Sequence, residues 1–360
     1  MRARSIASEA ARNLASGTAR AAMLVLVFAA VVGALAYVDV RAGVEVLRDA
    51  ADFRASGSAV QVLEVQQGVD GARCDALASV TGVVASGAIR QGDPLRALAM
   101  PSSPVTVWEA TPGIVDLIAD TGGRLARPSA EGGGLWISRD LAETLGVRPG
   151  GPVPTSTGTT TAAGLYTWPD DGRARTLGYA ALATVAPTGV LDQCWVQVWP
   201  TDVDTARIVN LALDPTKADQ ATVGRLNTSL GADFDAPALL ARRATVRAPL
   251  GAVVAGLLLG YVAIRLRRLE LAAALHARVR KAHLAWQHLL EALAWATAGT
   301  AIAAAAVAYA ASTDNPDPST WAFVLGARTI VAGAAAVLVG TLLGVAATRE
   351  RHLFRYFKDR

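Results

Sequence analysis

The sequence is poor in charge, poorer still in lysine and histidine, and almost without cysteine. Charged residues make up 18% of the 360 positions, where ordinary soluble domains carry about 25%, and 52% are hydrophobic. Lys217, Lys281 and Lys358 are the only lysines, so positive charge is almost entirely arginine. No block of those arginines is interleaved with aromatic residues, which excludes a nucleic-acid partner of the usual kind. The four histidines, His276, His283, His288 and His352, all lie in the last quarter of the chain. Residues 39–247 therefore have no imidazole for acid–base or metal chemistry. There is no Walker A motif, no HExxH and no metal-ligand spacing of cysteine and histidine, so no cofactor, metal or catalytic residue is expected on this chain.

Charge is also missing where it would be most conspicuous. Four stretches, 21–38, 248–264, 292–311 and 329–348, contain no Asp, Glu, Lys, Arg or His. A membrane-spanning helix needs about 20 apolar residues, with a range of about 17–25. The second stretch is short, but it extends through Val246 and Leu266 if Arg247 and Arg265 snorkel to the interface. Ion-coupled carriers place ionisable groups near the midplane. Spans this bare count against a secondary transporter or an ion channel. They predict four transmembrane helices in a lipid bilayer.

Basic residues concentrate in cytoplasmic loops. Fifteen of them lie in three places: Arg2 to Arg20 before the first span, Arg265 to Lys281 between spans two and three, and Arg349 to Arg360 after span four. Both termini (1–20 and 349–360) and the 265–291 segment are therefore expected inside, with 39–247 and the short 312–328 loop outside. The outer region holds 18 basic and 23 acidic residues. A cleaved signal peptide ending at Ala34-Leu35-Ala36 is the rival reading of the first span, and it leaves the same region outside.

Within 39–247, short strand-like and helix-like runs alternate. Strands are expected at 59–65, 80–89, 105–109, 134–138, 160–168, 177–184 and 194–199, and helices at 72–79, 113–119, 139–145 and 216–230. Ser138 is placed to cap the 139–145 helix and Gly146 to close it. The pattern is that of an α+β domain, inserted between helices one and two and divisible into two lobes. Residues 41–54 and 236–247 read as helical stalks joining it to the spans. Cys74 and Cys194, the only cysteines, both fall in it. An oxidising location favours a disulfide between them over two buried thiols. Asp170-Asp171, flanked by Pro169 and Gly172, reads as a solvated turn. Asp202 and Asp204 read as the polar start of a helix.

Two further patterns stand out. Gly256 and Gly260 form one GxxxG, and Gly340 and Gly344 another, which either allows close helix approach or reflects an Ala/Gly-rich chain. In 265–291, Leu271, Leu275, Val279, Ala282, Trp286 and Leu289 recur at helical spacing. Such a stripe fits docking on a partner, lying on lipid, or extending a span.

The layout now resembles a family: the permease subunits of bacterial ABC transporters of the MacB, LolC and FtsX type, the force-transmitting class. Besides the order of spans, the stretch from Gly134 to Val153 is similar to that family's strand, helix, Leu-Gly turn and Gly-led strand. The stretch from Ala163 to Gly172 follows where its next strand lies, and Arg267-Arg268-Leu269-Glu270 opens a cytoplasmic segment closing at Glu291. The resemblance implies a multi-pass protein of the bacterial inner membrane. It implies a separate ABC ATPase carrying ATP and Mg, and a second permease copy or related permease. The segment touching the ATPase would include Glu270, Leu275, His276, Arg278, Val279, Trp286 and Glu291. Where the family has a turn glycine this chain has Arg278, so 269–290 is expected to run as a more continuous helix. The competing class is a membrane-anchored sensor or adaptor whose outer domain binds a ligand or protein.

Overall fold

The computed structural model describes residues 3–17, 20–126, 134–201, 205–317 and 320–349. Asp202 and Asp204 lie outside them, as does the tail from 350 to 360. The chain forms two compact units, one of Met1–Arg48 with Ala236–Arg360 and the other of Asp49–Asp235.

Two helices come first, α1 (Ala3–Ala15) and α2 (Ala21–Ala55). The elements of the second unit then follow as β1 (Val60–Asp70), α3 (Gly71–Ala76), β2 (Val83–Gln91), β3 (Val107–Ala110), α4 (Pro112–Asp120), β4 (Leu125–Ala126) and β5 (Leu135–Ser138). After these come α5 (Arg139–Leu145), β6 (Pro152–Thr155), β7 (Gly158–Tyr166), β8 (Ala181–Thr184), β9 (Val190–Val198), α6 (Thr205–Val209) and β10 (Thr222–Arg225). The strands make one mixed sheet in the order β10-β1-β9-β2-β3-β8-β5-β7-β4, with β6 paired to β7. Pairing is parallel for β3 with β8 and for β5 with β7, and antiparallel elsewhere. The expected second lobe is thus an insertion in sequence between β2 and β9, but it continues the same sheet.

Period-two alternation puts apolar side chains on both faces. Trp195 belongs to a core with Ile114, Ile118, Tyr166 and Leu182, while its neighbours Cys194 and Val196 join Leu63, Val69 and Leu77. A third cluster gathers Ile137, Leu141, Val153 and Leu165. Cys74 and Cys194 are joined, 120 residues apart in sequence. In the chain-entropy model a loop of that length stabilises by about 4–5 kcal/mol. Tyr166 is buried and donates to Leu177 O at 2.8 Å, and burial pushes its hydroxyl far above the usual phenol range. Asp75 accepts from the Thr111 hydroxyl; burial raises its carboxyl, partly offset by that bond.

Three local expectations need correction. Residues 216–230 are not a helix. Asp214 caps a 3-10 turn, Pro215–Gln220, by accepting from Thr216 N–H at 2.9 Å, and β-branched Thr222 and Val223 then pair with β1. Ser138 stands at the position before α5 but makes no cap bond; its Oγ accepts from Ala180 N–H at 3.2 Å. Gly146 does close α5, at φ +66. Asp171 is no solvated turn residue, because it pairs with buried Arg173 at 2.7 Å, whereas Asp170 pairs with exposed Arg175.

The first unit contains α7 (Ala236–Arg242), α8 (Ala248–Arg265), α9 (Arg268–His276), α10 (Lys281–Ser312) and α11 (Trp321–Ala347), with α1 and most of α2. Four helices are long and apolar enough to cross a membrane: α2, α8 with the 3-10 turn before it, α10 and α11. The stalk expected over 236–247 is broken at Arg243, which leaves the helical region at φ −57 and ψ 142. Its side chain accounts for the break, since Nε reaches Asp39 at 2.9 Å. Asp39 lies fully buried in α2 and also receives Arg328 from α11 at 3.5 Å.

Glycine sets how α8 meets α11. A Cβ on Gly256 would collide with Gly333 O, one on Gly260 with Val337 O, and one on Gly340 with Leu257 O. On Gly344 it would lie 2.7 Å from Ile264 Cβ. These four glycines form a seam within the chain, three of them at backbone contact and Gly344 against the Ile264 side chain. Elsewhere on α8, Leu250, Val254, Leu258 and Val262 are all exposed and recur every fourth residue, which makes one stripe.

Candidate functional site

The segment between α8 and the apolar part of α10 is a helical hairpin. α9 ends at His276, and the chain turns through residues 277–280 before α10 begins. The turn is a Schellman motif: Arg278 N–H donates to Leu275 O at 3.0 Å and Val279 N–H to Ala274 O at 3.1 Å. Arg278 holds the left-handed position at φ +59. The continuous helix expected over 269–290 is therefore absent. Arginine takes the conformation in which glycine costs least, at roughly 1–2 kcal/mol, because both turn bonds require it.

The open end of the hairpin is fixed by charge. Arg267 donates through Nη1 to Glu291 at 2.5 Å and through Nε to Glu270 at 2.9 Å. Glu291 is buried and also accepts from Asn13 Nδ2 at 2.6 Å and from His288 Nδ1 at 2.9 Å. A carboxylate only accepts, so that histidine nitrogen carries the proton. Three elements thus converge on one side chain: α1, the α8–α9 junction and α10. A cavity of about 20 Å³, lined by Arg267, His288, Glu291, Trp295 and Thr341 among others, adjoins it and has room for one water. At the turn, Lys281 Nζ donates to Ala346 O at 2.7 Å, filling one of the carbonyls left open at the end of α11.

The sequence-derived residues separate into two groups. Glu270 and Glu291, from the two ends of the segment, meet on Arg267. Leu275, His276, Arg278 and Val279 gather at the turn, where His276 and Arg278 are exposed and Leu275 and Val279 half-buried. Trp286 stands on α10 with 60% of its surface exposed. The apolar stripe is cut by the turn, and its first member, Leu271, is buried with Ile264 and Val345. Sequence reasoning misses Asn13, His288 and Lys281 as braces, and counts Arg267 only as one more basic residue. The i,i+3 spacing of His288 and Glu291 is the one signal that could have found them. Among the described residues no group of His, Cys, Asp and Glu is arranged to hold a metal.

No family model matches the chain, and no curated protein matches it. Solved structures are similar to part of it. The periplasmic region of MacB from Actinobacillus actinomycetemcomitans gives a TM-score of 0.36 at 7% identity, over 48% of this chain and 91% of that one. A domain of a protein described as a permease from Porphyromonas gingivalis gives 0.33 at 13%, over 51% and 95%.

Proposed function

We propose that this chain is the membrane subunit of an ABC transporter of the force-transmitting type, working with a separate ATPase that carries ATP and Mg. The observation that supports it best is the α9–α10 hairpin. It is braced from within by Arg267, Glu291, Asn13 and Lys281, yet it displays Arg278, His276 and Trp286 outward. Aromatics with arginine are the usual anchors of a protein interface. In this reading the hairpin and both termini face the cytoplasm of a bacterial inner membrane, and the sheet domain lies outside. A second copy or a related permease completes the assembly. ATP-driven closure of the ATPases moves the outer domains, for export or extraction of a substrate or for control of an external partner.

The test is the double variant Leu275→Asp with Val279→Asp. It places unpaired charge at the turn and leaves the spans untouched. Loss of ATPase co-purification and activity, with intact membrane insertion, is the expected result. Full retention of both removes the hairpin as the coupling site. A wild-type chain that captures no ATPase from its own membranes favours the sensor or adaptor instead.

A further inference from the structure

α2 ends inside the sheet unit, and its end is gripped there more firmly than helix termination requires. A helix leaves its last four carbonyls without intrahelical partners. The chain already has the inexpensive solution, since Gly57 follows the last turn at φ +77 and its N–H donates to Arg54 O at 3.1 Å. Yet Arg173, whose side chain is fully buried, also reaches this end and donates through Nη2 to Ala55 O at 2.9 Å. The same guanidinium bonds Thr121 O at 2.8 Å and Thr121 Oγ1 at 3.3 Å, and takes both oxygens of Asp171 at 2.9 and 2.7 Å. It stacks on Trp168, 5.0 Å from the ring centre. Asn227 Nδ2 holds the next carbonyl, Ser56 O, at 2.9 Å, and reaches Asp171 O at 3.1 Å. Phe53, buried in the last turn, packs on Trp199 and Phe234 with ring centres 6.5 and 5.6 Å away.

One planar fork therefore joins the end of α2 to the loop after α4 and the loop after β7. An ammonium is a point charge and cannot span these acceptors. A cation at a helix C-terminus is also favoured by the helix dipole, and burial strengthens that interaction. We propose that Arg173 is the positioning residue through which movement of α2 is delivered to the sheet domain, Asn227 seconding it. The inference rests on the permease reading and adds to it the point where force enters the sheet.

The test uses the full chain in lipid nanodiscs with the ATPase that co-purifies with it, read by hydrogen exchange in ADP and in ATP with vanadate. In Arg173→Gln, amides 51–56 should exchange at least about tenfold faster, ATP turnover should persist, and the ATP-dependent change in β7 and β9 should vanish. Arg173→Lys should fall between this variant and wild type. In ADP the amides of β1 and β9 should keep their wild-type protection, as evidence that the sheet has folded. If Arg173→Gln does not fold, Asp171→Asn, which keeps the acceptor oxygen and removes its charge, should show the same loss in part. An ATP-dependent change that survives undiminished in the folded variant overturns the inference alone. A wild-type chain with no ATP-dependent change overturns the permease reading and this inference with it.

Discussion

In the bundle unit the closest approaches are of backbone to backbone. Gly256, Gly260 and Gly340 each leave a gap filled by a carbonyl of the facing helix. The sheet unit has such approaches too, Gly113 meeting Ser86 O and Gly134 meeting Thr161 O, but its core is filled by large side chains, with Trp195 near Trp168, Leu63 in one cluster with Val196, and a disulfide joining α3 to β9. With the bundle read as membrane-spanning, the difference follows from the solvent. Lipid is as apolar as leucine, so helices in it gain little by burying leucine and associate through close packing and polar contacts. A domain in water gains about 25 cal/mol for each Å² of apolar surface it buries, and large side chains supply that area. The charged residues follow the same division. In the bundle, Asp39 with Arg243 and Glu291 with Arg267 stand at opposite ends of the helices, away from the apolar middle.

The comparison breaks most visibly at Gly260. Gly260→Leu should part α8 from α11 and leave no monodisperse protein on size exclusion, because the side chain meets backbone that cannot move aside. Gly251→Ala, whose Cβ finds nothing nearer than Leu35 Cδ1 at 3.5 Å, should cost under about 0.5 kcal/mol. The sheet unit should depend in addition on its cross-link. Cys74→Ser with Cys194→Ser should cost up to about 4–5 kcal/mol in denaturant unfolding, with the bundle's helical signal retained.

A smaller effect of opposite sign is expected at the hairpin turn. Arg278→Gly removes the left-handed strain and should stabilise by about 1 kcal/mol, while weakening ATPase capture if the side chain is a contact. The smallest effects are acid–base. Asp214 is lowered by the Thr216 N–H and hydroxyl bonds, so its contribution is present above pH 3.8 and fades as pH falls through its lower folded value. Asp75 is raised by burial, so its contribution is present below pH 3.8 and is lost as pH rises through its higher folded value. Melting curves from about pH 3 to 7 should therefore flatten on the acid side in Asp214→Asn. In Asp75→Asn the midpoint should rise at neutral pH, with the gain disappearing in acid.

The four apolar helices were legible because an uninterrupted apolar run is a local signal, and each run coincides to within one residue with part of α2, α8, α10 or α11. So was α5, whose closing Gly146 sits where a left-handed residue must be. Two of the failures share a cause, which is partners distant in sequence. Nothing near residue 222 says that β1, far earlier in the chain, will take it as an edge strand. Asp39 reads as the first polar residue after a span, and only Arg243 and Arg328 together make it a buried anchor. Arg278 misled for a different reason. Its type argues for helix, but the Schellman bonds of the turn outweigh its strain.

The position of β9 constrains the order in which the chain can fold. β1 and β2 follow each other in sequence yet do not pair; β9 lies between them and bonds to both. The place between β1 and β2 is thus an empty slot until residue 198 has been made. While it waits, two long strands present open edges, the kind of surface that recruits other chains. Closure then depends on contacts between residues far apart in sequence, which slows folding. The domain should be most vulnerable to aggregation while nascent chains extend past β2 but stop short of β9, and chains truncated at Gly150 should aggregate more than those truncated at Thr201.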